Sequence, residues 1–383
     1  MGLILTNSDA TYASEIFINF FEKYDRIDDY QRDIKQQRMA TAKLKTPSTL
    51  PGCAPEDDIF DDFSLNPKDM GFKLHYNYNQ ESYDSLLDLT TSHITERAMV
   101  GKRIIIVVEE TTTGKICGVI RLGSPMINSK PRNEFFGGNL DLKLLNKHAI
   151  MGFIIVPMQP FGFNYLGGKL LALMCCTHEI REHINQKYGS EICLFETTSL
   201  YGNLKTCSQY DGLKPFLRYK GLTDSKFTPL LNDDRYRNLN KWFTSKNDGT
   251  PLVPAHTPKG IVTASRKLKI HMKMIAILKN SLSNHNNQDQ LKLFTDSITK
   301  AQSMTNQKRF YMSSYGYENV VDVMTGKTQT LVPAENSYKY TLDNVVEWWR
   351  NKAEKRYSKL AGEDRVRTEL ELWSDDENID IIR

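Results

Sequence analysis

Between His148 and Thr223 the chain runs from an apolar strand through a glycine-rich bend and a helix into a second apolar strand. That order restricts the fold more than any other stretch. AIMGFIIVP is the first strand and EICLFETT the second. Between them, Gly168 to Tyr188 reads as one helix with a broad apolar stripe at Leu170, Leu171, Leu173, Met174 and Ile180, stopped by Gly189. Two strands joined over such a helix lie parallel in one sheet, with a right-handed crossover.

A hairpin precedes this unit. RIIIVVEE and KICGVIRL are rich in β-branched residues and flank a turn at Thr113-Gly114. Hairpin and crossover together predict a mixed α/β sheet. Upstream, Ala10 to Leu44 has helical apolar spacing, TPSTLPGCAPEDD is a linker signature, and Tyr83 to Ala98 is a second helical pattern. Downstream, Ser265–Ser281 and Asp289–Gln302 read as two helices around an asparagine-rich turn. A short hairpin around Thr325-Gly326-Lys327, a helix TLDNVVEWWRNKAEKRYSKL and an acidic tail follow. These divide the chain into an N-terminal helical arm (1–82), an α/β core (83–232) and a mostly helical C-terminal extension (233–383).

Composition narrows the function classes. With 383 residues, 40% of them hydrophobic, the chain can bury a sizeable core, and a net charge of +4 gives no global field for a polyanion. The six cysteines form no CxxC pair, which fits a reducing, cytoplasmic setting without a zinc site. No apolar run is long enough to span a bilayer, so no membrane role is expected. Met1-Gly2-Leu3-Ile4-Leu5-Thr6 fits the loose myristoylation pattern but lacks a polybasic neighbour. No pattern specifies an oligomeric state.

In the bend MQPFGFNYLGGKLL, glycines deliver the chain into a helix start, where unpaired amides and the helix dipole favour an anion. Gln159, Gly162, Asn164, Gly167, Gly168 and Lys169 are the candidate phosphate-binding residues; equally, the glycines let helix and strand pack closely. Glu196 ends an apolar run, where a desolvated carboxyl becomes a general base or simply bonds a loop. Tyr210 is a candidate proton donor or a packing phenol. His178 and His183, five residues apart, have poor metal-ligand spacing. Cys207 lacks an identifiable activating partner. Lys267, Lys269, Lys273, Arg309 and Tyr311 interleave cations with aromatics, as nucleic-acid contacts do and as wet helix faces also do.

The order hairpin, strand, Gln-x-x-Gly, helix, strand resembles the GNAT acyltransferases, whose Gln/Arg-x-x-Gly-x-Gly/Ala motif cradles the pyrophosphate of acetyl-coenzyme A. Gln159, Gly162 and Asn164 stand at those places, with Asn164 in place of the small third residue. The resemblance implies acetyl-coenzyme A or another phosphate-bearing donor, with Tyr210 protonating the leaving thiolate and Glu196 accepting a proton from the attacking group. A second resemblance, across about 85 to 225, is to the DruA family of Druantia anti-phage systems. It rests on Ser92-His93 with Gly101, Arg132-Asn133, Phe136-Gly137-Gly138, Phe153 to Pro157 and Tyr188-Gly189. It continues through Glu196-Thr197, Lys205-Thr206-Cys207 leading to Tyr210, and Gly221-Leu222-Thr223. Asn133 replaces the family's acid and Gly138 its tryptophan. The two resemblances imply a GNAT-like transferase, phage- or mobile-element-encoded, in nucleic-acid modification or phage–host conflict in the (host) cytoplasm. The alternative is a non-catalytic nucleic-acid-binding or assembly protein that retains the fold.

Overall fold

The computed structural model of the protein describes residues 3–41, 58–91, 101–199, 208–223, 230–254, 264–304 and 308–373. Gly2, the proline-rich linker up to residue 57, Ser92-His93, Lys205-Thr206-Cys207 and the acidic tail from residue 374 lie outside them. The chain divides into two compact units. One comprises Met1–Gln37, His93–Val100 and Ser225–Asn306; the other comprises Arg38–Ser92, Gly101–Asp224 and Gln307–Arg383. The stretches 1–82, 83–232 and 233–383 expected from composition cut across both units.

The N-terminal pattern forms two helices, α1 (Asn7–Phe21) and α2 (Ile27–Thr41), instead of one from Ala10 to Leu44. The chain breaks at Tyr24, whose ring turns in edge-on to Phe20 and Tyr30, each 5.4 Å away. Asp28 and Asp29 then occupy a new first turn, where the helix dipole favours them.

The second unit is built on a sheet. β1 (Phe72–His75) and helix α3 (Gln80–Thr90) come first; residues 92–98 of the longer helix expected there lie outside the described residues. The hairpin β2 (Arg103–Glu110) and β3 (Lys115–Gly123) forms as the β-branched pattern predicts. Its turn is organised by buried Glu110, which accepts from the amides of Thr112 (2.9 Å) and Thr113 (2.8 Å). Two short helices, α4 (Lys130–Phe136) and α5 (Leu142–His148), lead into β4 (Ala149–Pro157).

The bend after β4 becomes a short helix, α6 (Phe161–Tyr165). The single helix expected from Gly168 to Tyr188 is two, α7 (Gly167–Met174) and α8 (His178–Tyr188). Thr177 causes the division by capping α8: its hydroxyl accepts from the Ile180 amide. α7 is buried on nearly every side and sits hard against the sheet. An added Cβ at Gly118 of β3 would stand 2.6 Å from the Leu171 side chain and force it to shift, so glycine permits this close approach. Gly189 ends α8 at φ 58°, as expected of a C-terminal glycine. Strands β5 (Leu194–Ser199) and β6 (Arg218–Leu222) follow.

The chain next supplies the helices of the first unit, α9 (Asp233–Lys246), α10 (Ala264–Asn284) and α11 (Gln288–Ser303), the last two much as predicted. Phe17 of α1 meets Phe294 of α11 edge-on at 5.9 Å and His271 of α10 at 6.4 Å. His271 is fully buried. Its Nδ1–H donates to Lys267 O (2.8 Å) while Nε2 accepts from the Leu231 amide (3.1 Å), an arrangement that only neutral imidazole satisfies. Burial pushes its pKa down from 6.5 to about 4. The depressed folded value leaves its stabilisation intact above pH 6.5 and removes it as pH falls towards 4. Unfolding of this unit at pH 5 is therefore expected to cost about 2 kcal/mol less than at pH 7, by urea titration followed by circular dichroism. His271→Phe should flatten that difference.

After this insertion come β7 (Arg309–Ser313), α12 (Val320–Met324) and α13 (Leu342–Gly362). The hairpin expected around Gly326 is instead the end of α12, because Val320, Val323 and Met324 bury one helical face against Phe310 and Met312. The sheet order is β1-β2-β3-β4-β5-β7-β6. β4 and β5 pair parallel, as the crossover predicts, and every other pair is antiparallel.

Candidate functional site

The alternation of side chains along β5 sorts the candidates by face. In the register with β7, Thr197 lies opposite Tyr311 and Glu196 opposite Met312. Tyr311 belongs to the core under α7 and α8, which also holds Phe195 and Tyr210. Met312 belongs to the cluster on the other face, with Phe136 of α4. Glu196 and Tyr210 therefore stand on opposite faces of the sheet.

On the α4 face, Glu196 meets a partner from far away in sequence. Arg132 Nη1 donates to Glu196 Oε1 (2.9 Å) and Oε2 (3.1 Å), and both residues are 0% exposed. Arg132 Nη2 donates to the carbonyls of Met126 (2.7 Å) and Ile127 (2.9 Å). Arg132 Nε and the neighbouring buried Ser129 hydroxyl lack hydrogen-bond partners. Burial pushes the Glu196 carboxyl up to about 7 although Arg132 pulls it back. A buried ion pair contributes little net stability, and a displaced carboxyl marks functional sites and structural ion pairs alike. Asn133 donates to Asn128 Oδ1 (2.8 Å) and Asn139 Oδ1 (2.7 Å).

The bend is filled by the chain itself. The Gly162 amide donates to Met158 O (2.8 Å), the Phe163 amide to Gln159 Oε1 (3.1 Å) and the Asn164 amide to Pro160 O (2.8 Å). Asn164 clamps the segment after α13: Nδ2 donates to Arg367 O (2.7 Å) and Oδ1 accepts from Arg367 N (3.1 Å). The Glu371 amide donates to Gln159 O, and the Arg367 guanidinium covers the Phe163 ring at 3.8 Å. A helix start with no side-chain cap comes five residues after Gly162, at Gly167-Gly168-Lys169, reached through Leu166 at φ 57°. Gly167 packs on Phe161 and Pro157, the Gln209 side chain lies against Gly168, and Lys169 Nζ donates to Gln209 O (3.0 Å).

On the α7 face Tyr210 meets Tyr311 edge-on at 5.4 Å. Burial raises its phenol well above the usual range, so it keeps its proton at neutral pH. Asp211 accepts from Tyr311 (2.8 Å) and Arg309 (3.1 Å), which engages both expected nucleic-acid residues of β7. Lys267, Lys269 and Lys273 belong to the other unit, where Lys267 pairs with Asp233 (2.7 Å), Lys273 donates to Leu252 O (2.8 Å), and Lys269 is exposed. His178 contacts Ser337 O and His183 stacks on Tyr76 at 3.8 Å. Among the described residues, no three His, Cys, Asp or Glu side chains converge on a metal-sized position, and no helix is long and apolar enough to cross a membrane.

Reasoning from sequence missed the partnership of Arg132 and the role of Asp211. The available signal was an arginine next to Pro131 in a short helix that ends in Phe135 and Phe136. Fold and site together define a mixed α/β protein whose central sheet carries a buried carboxylate–guanidinium pair. Residues 56–213 match the family model described as Druantia protein DruA, a span that holds both members of that pair. The match begins upstream of the expected resemblance and stops before Gly221-Leu222-Thr223. No curated protein and no solved structure matches the chain.

Proposed function

We propose a GNAT-like transferase of the DruA kind, acting on nucleic acid in phage–host conflict. The observation that carries this reading is the parting of the two parallel strands. β4 and β5 pair from Ala149–Leu194 to Gly152–Thr197; beyond that β4 continues to Pro157 along β3, and β5 to Ser199 along β7. Ligands of open α/β sheets collect outside the carboxyl ends of such strands. The strand order, with its single parallel pair next to an inserted last strand, also agrees with the GNAT resemblance.

The residues that suit acetyl-coenzyme A, or another phosphate-bearing donor, are Gly167 and Gly168, with the Lys169 ammonium beside them; the Lys169 amide itself donates to Leu166 O (2.9 Å). The amides of Gly162 and Asn164 are already engaged. A bound acyl thioester would supply an activated carbonyl. Tyr210, on the α7 face, holds a proton for the departing group. Glu196, on the α4 face one residue before the strands part, is the group that would take one from the attacking group. Four described cysteines, Cys117, Cys175, Cys176 and Cys193, are free and buried, which fits a reducing cytoplasm.

The test is thermal shift with acetyl-coenzyme A, expected to stabilise by about 2.7 kcal/mol at roughly a hundred times its Kd. Tyr210→Phe should keep the melting temperature and the shift while abolishing acyl transfer. Absence of any shift with phosphate-bearing donors would instead favour a non-catalytic nucleic-acid-binding protein. The specific support for that second reading is the Gln159–Asn164 bend, whose amides are satisfied internally.

A further inference from the structure

The α4 face of the sheet carries a row of cations that the donor gap does not use. By register, Arg218 lies opposite Met312, and Gly221 opposite Phe310 with Pro131 of α4 beside it. Thr223 pairs with Lys308 beyond the end of β7. Lys220 stands at the irregularity between Tyr219 and Gly221, its ammonium 3.7 Å from the Phe135 ring of α4. Arg218, Lys220 and Lys308 thus share one face, and Lys220 and Lys308 are about 10 Å apart along the strand direction.

Among the described residues no acid pairs with the row, Asp322 of α12 being engaged by Lys327 at 3.5 Å. Glu196 is taken by Arg132, and Glu134 on α4 faces Lys130 at 3.9 Å. Asp211 is on the opposite face with Tyr311. Lys220 and Lys308 are partly buried and have no ion-pair partner among the described residues. Desolvation lowers the pKa of both, and Arg218 adds repulsion at Lys220. Phe135 is 41% exposed. Unneutralised cations spaced along strands suit an extended polyanion better than one compact phosphate, and an exposed ring beside Lys220 suits a base.

We propose that this face binds the phosphodiester backbone of a single nucleic-acid strand at Lys220 and Lys308, with Phe135 as the stacking surface. The inference rests on a nucleic-acid role but is independent of the donor gap and of the basic face of α10. The experiment is fluorescence anisotropy of a labelled oligothymidylate titrated with the full chain across a salt series. Lys220→Gln/Lys308→Gln is expected to lower the slope of log K against log salt by about 1.4, two phosphates at roughly 0.7 each. Phe135→Ala should weaken binding about tenfold. Lys220→Arg/Lys308→Arg should bind as the parent does, and so separates loss of charge from loss of fold.

Wild-type affinity in the glutamine pair, with loss in Lys267→Gln/Lys269→Gln/Lys273→Gln, would overturn this site and keep the nucleic-acid role. No binding of any oligonucleotide would overturn both. Displacement of the strand by millimolar inorganic phosphate, or equal affinity for a duplex, would overturn the assignment to a single strand.

Discussion

Arg132→Met is expected to destabilise the sheet unit by about 3–5 kcal/mol in alkaline solution, where it leaves the Glu196 carboxylate buried without its counter-ion. Arg132→Met/Glu196→Leu should recover most of that loss, since removing both charges spares the desolvation of either. Urea unfolding of the two variants beside the parent measures the difference; similar midpoints for all three would refute the pairing. The effect depends on pH. The folded carboxyl titrates near 7 against an ordinary 4.5, so its protonated form favours folding below pH 4.5 and that advantage disappears as pH rises through 7. Without Arg132 the folded value climbs further. The deficit of Arg132→Met should therefore be small at pH 4.5 and grow through neutrality.

Trp349→Ala should be nearly as damaging, at about 3–5 kcal/mol. The indole is fully buried on α13, edge-on to Phe72 at 5.2 Å, and Nε1 donates to Tyr165 O at 2.8 Å. Truncation leaves a cavity and an orphaned carbonyl just before the α7 start. Trp349→Phe keeps most of the contact and loses the hydrogen bond, so it should cost much less. Differential scanning calorimetry orders the three chains. A melting temperature in Trp349→Ala equal to the parent's would contradict the packing of α13 over α6.

What was readable in the sequence was local. The β-branched arms of β2 and β3, the apolar run of β4, and Gly189 beyond Tyr188 each declare themselves within a few residues. Glu196 announced itself as an acid inside LFETT. Its partner did not, because Arg132 lies far away in sequence and meets it only when α4 folds onto the sheet. The breaks at Tyr24 and Thr177 were hidden for a related reason. Apolar spacing continues across both, and the decision rests with a ring turning inward in one case and a capping hydroxyl in the other. The separation of Glu196 from Tyr210 was invisible until the register fixed which side of the sheet each occupied. RFYMS, read as aromatic and basic, gave no sign that it fills the slot between β5 and β6.

That slot bears on how the protein is made. β5 and β6 leave the ribosome well before β7, separated from it by the insertion that ends at Asn306. Until Ser313 has emerged, each of those strands exposes an unpaired edge to the crowded cell, the kind of surface that invites aggregation. The helices made in the interval bring their own apolar partners, α1 having been synthesised at the outset. Nascent chains whose β7 is still inside the ribosome should therefore need chaperones that chains with Ser313 already emerged no longer do.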